Sequence, residues 1–283
     1  MTRKELSVCE ITTRDWNFAE DVRGYAAAGI GLIGVFYPKL LAHGVRAAAD
    51  LLRAHDMRAE TMISNAYLTG SGDTLDQSAY DWQLRVLDDC AAIGVSRLVT
   101  VPGLLQGRSA ARMTGLTIEC LGRLGGEAAA RGVVLALEPI RYPYFDFLNT
   151  LADATEIVRT VDSPNVGLVF DSWHLWNEVD LLDRISNAID KIALVHISDY
   201  RDGTTIHDDR LLPGEGIIPL VEIIRHLDRS GYDGVYDVEI FSETLWRSPY
   251  PPLLAHCRRW FDANGAQTLG RSSEQATKTG AIA

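Results

Sequence analysis

The sequence predicts a single-domain α/β protein whose eight parallel strands close into a (β/α)8 barrel, and three observations carry that prediction. Short β-rich runs alternate with longer helix-like segments for eight rounds, as parallel strands with helical crossovers require. No Gly-x-Gly-x-x-Gly follows the first strand, because Gly31, Leu32 and Gly34 do not make that fingerprint, so an open dinucleotide-binding sheet fits less well. The 283 residues could make two average domains but are also an ordinary length for one such barrel.

Taken in order, the first strand is expected over residues 6–12, followed by a helix over 16–28 that Gly29 stops. The second strand covers 30–36 and its helix 45–55. Strand three, 58–63, leads through a polar, glycine-rich passage from Ser64 to Gly72 that is long enough to act as a lid, and then into a helix over 74–93. Strand four, 97–101, breaks at Pro102-Gly103, and the helix over 110–131 ends at Gly132. Strands five and six end at Glu138 and Asp171, on either side of a helix over 151–161, with Pro164 and Asn165 punctuating the return. A helix over 179–190 precedes strand seven, which ends at His196, and a polar loop continues to Pro213-Gly214-Glu215-Gly216. Helix seven spans 219–230 before Gly231, strand eight 234–240, and the closing helix 253–263. Residues 1–266 thus form the barrel. The tail over 267–283 has too little apolar content to pack and is expected to be disordered.

Composition excludes several classes. With 47% hydrophobic and 23% charged residues the chain reads as a soluble globular protein. No apolar stretch reaches the ~18 to 20 residues of a membrane span. The N-terminus is basic but lacks an apolar region and a small-residue cleavage site, so no signal peptide is expected and the cytoplasm is the default location. A net charge of −11 repels polyanions, which disfavours nucleic acid as a partner. Cys9, Cys90, Cys120 and Cys257 show no Cys-x-x-Cys spacing and read as buried free thiols rather than a thiolate zinc site or a disulfide framework.

Four apolar runs stop abruptly at an ionisable residue: Val133–Leu137 at Glu138, Val166–Phe170 at Asp171, Ile192–Val195 at His196, and Val235–Val238 at Glu239. A lone carboxylate at a loop usually caps a helix or pairs with an arginine. Four such groups in register at strand ends five to eight, the end where barrel active sites collect, point instead to one metal site. Three carboxylates and one imidazole suit a single divalent ion, with Mn²⁺ favoured and Mg²⁺, Co²⁺ or Zn²⁺ as alternatives. His174 is expected on the same rim but pointing elsewhere, as a substrate hydrogen-bond donor. Arg210 lies in a loop above the barrel, where a guanidinium can hold substrate oxygens. Trp173, Tyr142, Tyr144 and Phe36 are candidates to wall a sugar-sized pocket. His207-Asp208-Asp209 reads as a loop cluster, because no histidine in strands two or three joins it to make a second metal site.

These residues resemble the xylose isomerase-like TIM-barrel superfamily, in its sugar phosphate isomerase/epimerase branch with ketose 3-epimerases, hydroxypyruvate isomerase and inosose dehydratase. The tokens are Leu137-Glu138-Pro139, Phe170-Asp171-x-x-His174, His196-x-Ser198-Asp199, Arg210-x-x-Pro213-Gly214-x-Gly216 and Val238-Glu239-Ile240-Phe241. The resemblance covers roughly Leu6 to Ala263 and is specific to the superfamily rather than to a substrate. It implies that Glu138, Asp171, His196 and Glu239 bind one divalent metal, that Glu138 and Glu239 are also the acid/base pair, and that His174 and Arg210 contact substrate.

The implied activity is a metal-dependent isomerase or epimerase acting on a keto-sugar or polyhydroxy ketone. Its partner would be a small carbohydrate, and a homo-oligomer is left open. Ketose 3-epimerases continue Glu-x-x-Asn-Arg-Phe-Glu after strand five, whereas here Tyr144 takes the place of the second carboxylate. That departure keeps a second reading in play, a lyase or dehydratase acting by β-elimination. A non-catalytic sugar-binding barrel is a weaker alternative. Endonuclease IV takes extra histidines at strand ends two and three, where this chain has Val35-Phe36-Tyr37 and Met62-Ile63-Ser64, so DNA repair is disfavoured.

Overall fold

Eight parallel strands pair in sequence order: β1 (Leu6–Cys9), β2 (Leu32–Phe36), β3 (Arg58–Tyr67), β4 (Arg97–Val101), β5 (Val134–Leu137), β6 (Val166–Asp171), β7 (Ile192–Ile197) and β8 (Tyr236–Val238). β8 also pairs with β1, which closes the barrel. The computed structural model describes residues 4–203, 205 and 210–265. The expected tail over 267–283 and the His207-Asp208-Asp209 cluster lie outside the described residues.

Helices cover the strands outside. α1 (Phe18–Ala27) is followed by α2 (Tyr37–His43), α3 (Val45–Ala54), α4 (Gln77–Ile93), α5 (Ala110–Ala130) and α6 (Leu151–Val161). Then come α7 (Ser172–Leu175), α8 (Leu181–Ala188), α9 (Leu220–Ser230), α10 (Glu243–Trp246) and α11 (Tyr250–Asn264). Their boundaries have local causes. At α1 the Asn17 side chain accepts from the Ala19 and Glu20 N–H groups while Glu20 accepts from Asn17 N, a reciprocal cap. Asp76, Ser109 and Thr150 cap α4, α5 and α6 in the same way through single side chains. α9 ends where Gly231 adopts a left-handed conformation.

Strand alternation decides what fills the barrel. Successive side chains point to opposite faces. In β6, Leu168 and Phe170 join the large core under the helices, whereas Val169 meets Val99, Ala136 and Leu194 in a separate interior cluster. Stepping two residues up from that cluster along β5, β6 and β7 reaches Glu138, Asp171 and His196. The apolar layer therefore lies beneath Glu138, Asp171 and His196. Gly167 lets β6 and β7 approach, since a Cβ there would lie 2.8 Å from Lys191 O and 2.9 Å from Ala193 Cβ.

The structure departs from expectation in three places. α2, α7 and α10 are short helices where loops or strand ends were expected; α7 and α10 each span only four residues, too few to show a 3.6-residue period. Several strands are shorter than expected, β1 by three residues and β8 to Tyr236–Val238. The glycine-rich passage after strand three is not free to act as a lid. β3 runs on to Tyr67, Leu68 N and Thr69 N donate to Val101 O and Pro102 O at 2.8 and 3.2 Å, and buried Arg108 donates to Gly70 O and Gly72 O. Each carbonyl so held would have to be rehydrated on opening. Among the described residues no helix is long and apolar enough to cross a membrane.

Candidate metal centre

Asp171 is the last residue of β6, His196 the fifth of six in β7, and Glu138 and Glu239 lie one residue beyond β5 and β8. Because Asp171 and His196 are paired across β6 and β7, their side chains share the inner face. One donor atom from each of the four residues lies within 4.8 Å of all the others, and all four are buried. Ligands about 2.1 Å from one ion stand at most about 4.2 Å apart, so side-chain shifts of about 0.5 Å gather the set. The donor set therefore fits one divalent cation in charge, type and spacing. His196 presents Nδ1 to the group, 3.2 Å from Glu138 Oε1 and 3.7 Å from Glu239 Oε2.

The two other expected residues come to the same cluster. Arg210 is almost fully buried rather than solvated above the barrel, and Nη1 donates to Asp171 Oδ2 at 3.1 Å and Glu239 Oε2 at 3.2 Å. Its guanidinium lies between the rings of Trp173 and Phe241, 4.8 and 5.0 Å from their centroids. His174 does not point elsewhere: its Nε2 sits 3.7 Å from Asp171 Oδ2 and 3.2 Å from Arg210 Nη2.

The loop that carries Arg210 is held by Asp199. Oδ2 accepts from Gly214 N and Gly216 N at 3.0 and 2.9 Å, and Oδ1 from Ile218 N and Tyr200 N at 2.9 Å each. Asp199 and Leu211 also exchange a pair of backbone hydrogen bonds, and Arg210 N donates to Phe241 O at 3.0 Å. Gly216 is required by this clasp, since a Cβ there would lie 2.4 Å from Asp199 Oδ1 and 2.3 Å from Tyr200 O. Asp171 has a second local task as the cap of α7, with Oδ1 accepting from Trp173 N at 2.7 Å. It thus both caps a helix and pairs with an arginine without leaving the cluster.

Buried charge dominates the electrostatics. Burial pushes the Asp171 carboxyl up, but Arg210, His174 and His196 outweigh it and hold the group below the usual range. Burial alone would lower His196; Glu239 and Glu138 reverse this and lift the imidazole to about 10. Burial raises Glu239 to about 7, against the pull of His196. His174 is driven down by burial to about 3 and is neutral. An excess of buried carboxylate that raises an imidazole this far also favours a divalent cation at the same place.

Above the cluster opens a cavity of about 650 Å³. Its lining includes Glu138, Glu239, His174 and Arg210 together with apolar side chains such as Val99 and Ile140. Of the aromatic residues expected to wall a pocket, Tyr144 lines it. Trp173 is buried behind Arg210, Tyr142 is 71% exposed, and Phe36 packs with Cys9, Ile11 and Trp246. The sequence reading missed Asp237 and gave Asp199 no task. Asp237 was detectable, because in Tyr236-Asp237-Val238-Glu239 the two-residue period sets it on the face of Glu239.

Residues 19–263 match the model of the xylose isomerase-like TIM barrel family. Among characterised proteins, the chain is 32% identical over 167 residues to an inosose isomerase of Bacillus licheniformis, covering 57% of this chain and 60% of that protein. It is 25% identical over 216 residues to a ketose 3-epimerase of Arthrobacter globiformis, covering 73% and 67%. Protein SMc04130 of Sinorhizobium meliloti superposes with a TM-score of 0.82 at 29% identity, over 92% of this chain and 98% of that one. With the closed barrel and the family match over residues 19–263, this chain belongs to the xylose isomerase-like TIM barrel family.

Proposed function

We propose that this protein holds one divalent cation on Glu138, Asp171, His196 and Glu239 and isomerises a keto-sugar or cyclic polyhydroxy ketone by moving a proton beside its carbonyl. The observation that carries this reading is that Glu138 and Glu239 belong both to the four-residue donor cluster and to the lining of the cavity. Carboxylates so placed can serve the cation and the substrate together. The oxygen-rich donor set favours Mn²⁺, with Mg²⁺, Co²⁺ or Zn²⁺ as alternatives. When bound, such a cation polarises a carbonyl and so acidifies the neighbouring C–H.

The protein's own groups supply the proton handling. Without a cation, burial raises Glu239 to about 7; beside a cation the ionised carboxylate is favoured, ready to take a proton from the substrate. Glu138 reaches the cavity from a different strand end and is the second proton carrier. Arg210 has only donors, so His174 Nε2 must accept from it and the neutral ring carries its proton on Nδ1. That N–H has no partner among the described residues and is the hydrogen-bond donor for a substrate oxygen. Arg210 is fixed by two carboxylates and two rings, which orients substrate without cost in side-chain freedom.

The name of the Bacillus licheniformis relative, inosose isomerase, supports the cyclic ketone, and that of the Arthrobacter globiformis relative supports keto-sugars. A second reading, β-elimination, draws on Tyr144, which lines the cavity where the epimerase pattern has a carboxylate. Cation-loaded protein incubated with inososes and keto-sugars in D₂O tests both. Deuterium gained at the α-carbon of a product isomeric with the substrate supports isomerisation, and loss of water or an aglycone supports elimination. Activity indifferent to chelators, or no exchange across the panel, overturns the proposal.

A further inference from the structure

The two ring nitrogens of His196 have different surroundings. Nδ1 faces Glu138 and Glu239, whereas Nε2 is buried, has no hydrogen-bond partner among the described residues, and lies 4.0 Å from Asp237 Oδ2. Asp237 is fully buried and accepts from Thr61 Oγ1 at 2.8 Å on Oδ2, with Ser7 also beside the carboxylate. Strand register creates this arrangement, since Asp171 pairs with His196 and His196 with Asp237 across β6, β7 and β8. Three consecutive strands thus send an acid, an imidazole and an acid to one face. Room is made by Gly34 on β2, where a Cβ would lie 2.4 Å from Asp237 Oδ2 and 2.8 Å from Thr61 Oγ1. A buried carboxylate is expensive unless its charge has a use or a partner.

We propose that Asp237 is a positioning residue of the cation site, accepting the Nε2–H of His196 and so holding Nδ1 toward Glu138, Asp171 and Glu239. This rests on the cation-binding reading given above. A neutral imidazole has one N–H, so an acceptor at one nitrogen fixes the tautomer and leaves the other lone pair for a cation, with raised basicity. At 4.0 Å the contact is electrostatic, and a ring tilt of about 1 Å brings it into hydrogen-bond range. The Thr61 hydroxyl keeps the carboxylate from turning away.

The test uses Zn²⁺, which is diamagnetic, titrated against a chromophoric chelator with wild type, Asp237→Ala, Asp237→Asn and Thr61→Val. In parallel, long-range ¹H–¹⁵N correlation of histidine-labelled, Zn²⁺-loaded wild type locates the His196 proton. The expected result is a proton on Nε2 and a fall of about 10- to 100-fold in Zn²⁺ affinity for Asp237→Ala. Asp237→Asn loses less, because its amide oxygen still accepts, and Thr61→Val loses less again. A His196 proton on Nδ1, or Asp237 variants with lower melting temperature but wild-type Zn²⁺ affinity, overturns the assignment. The spectroscopic arm needs no variant, and a proton on Nδ1 overturns the assignment even if Asp237→Ala misfolds; the near-isosteric Asp237→Asn then carries the affinity comparison. A wild type that binds no cation overturns instead the reading on which the assignment rests.

Discussion

Arg210 Nη1 donates to Asp171 Oδ2 at 3.1 Å, and both side chains are closed off from solvent. The pair joins a long loop to the end of β6. It also supplies positive charge to a cluster that otherwise crowds carboxylates together, which is why Asp171 stays ionised in spite of its burial.

Arg210→Met should therefore destabilise the cation-free protein by about 3–5 kcal/mol, the usual cost of leaving a buried charge unpaired. Urea denaturation in the presence of a chelator measures it. Arg210→Lys keeps the charge but loses the planar fork and should fall between the two. Equal stability of all three proteins would contradict this account of the pair.

Cation binding should tighten as pH rises up to about 10, because His196 holds a proton that the ion must displace up to there and Glu239 holds a second one below about 7. His196 has a folded value of about 10 against 6.5 ordinarily, so its contribution to cation-free stability is complete below 6.5 and is lost as pH rises through 10. Calorimetric titration in buffers of different ionisation enthalpy should report net proton release. Denaturation of chelated protein should show stability falling over the same range.

Asp199→Asn should lower kcat/KM by more than it changes cation affinity. The carboxylate accepts four backbone N–H groups, and an amide turns an NH₂ toward two of them. The loop then loosens and Arg210 shifts, and a displacement of about 1 Å at a substrate-orienting group costs about 10²-fold. Steady-state kinetics with a parallel metal titration separates the two effects.

Glu138→Gln and Glu239→Gln should each depress α-proton exchange in D₂O by about 10² to 10⁴-fold, the usual worth of a positioned acid or base. Substrate proton NMR follows the exchange directly. An exchange rate unaffected by either change would remove both glutamates from the proton path.

Much of this protein was legible from local pattern. β4 and α6 fall on the residues that periodicity assigns, and the abrupt ends of four apolar runs pick out Glu138, Asp171, His196 and Glu239. Such features depend on neighbours in sequence, so a two-residue or 3.6-residue period reveals them. The one-turn helices α7 and α10 escaped because four residues cannot display a period. The anchoring of the passage expected as a lid escaped because what pins it, Arg108 and the end of β4, lies elsewhere in the chain.

By itself the sequence determined the alternation that makes parallel strands and the residue types at their ends. Tertiary structure alone decided that Arg210 returns from its loop to Asp171, that His174 turns toward the same carboxylate, and that Asp237 stands behind His196. The reason is physical: side-chain parity is set within a strand, whereas those contacts require barrel closure and the Asp199 clasp to bring distant segments together out of water.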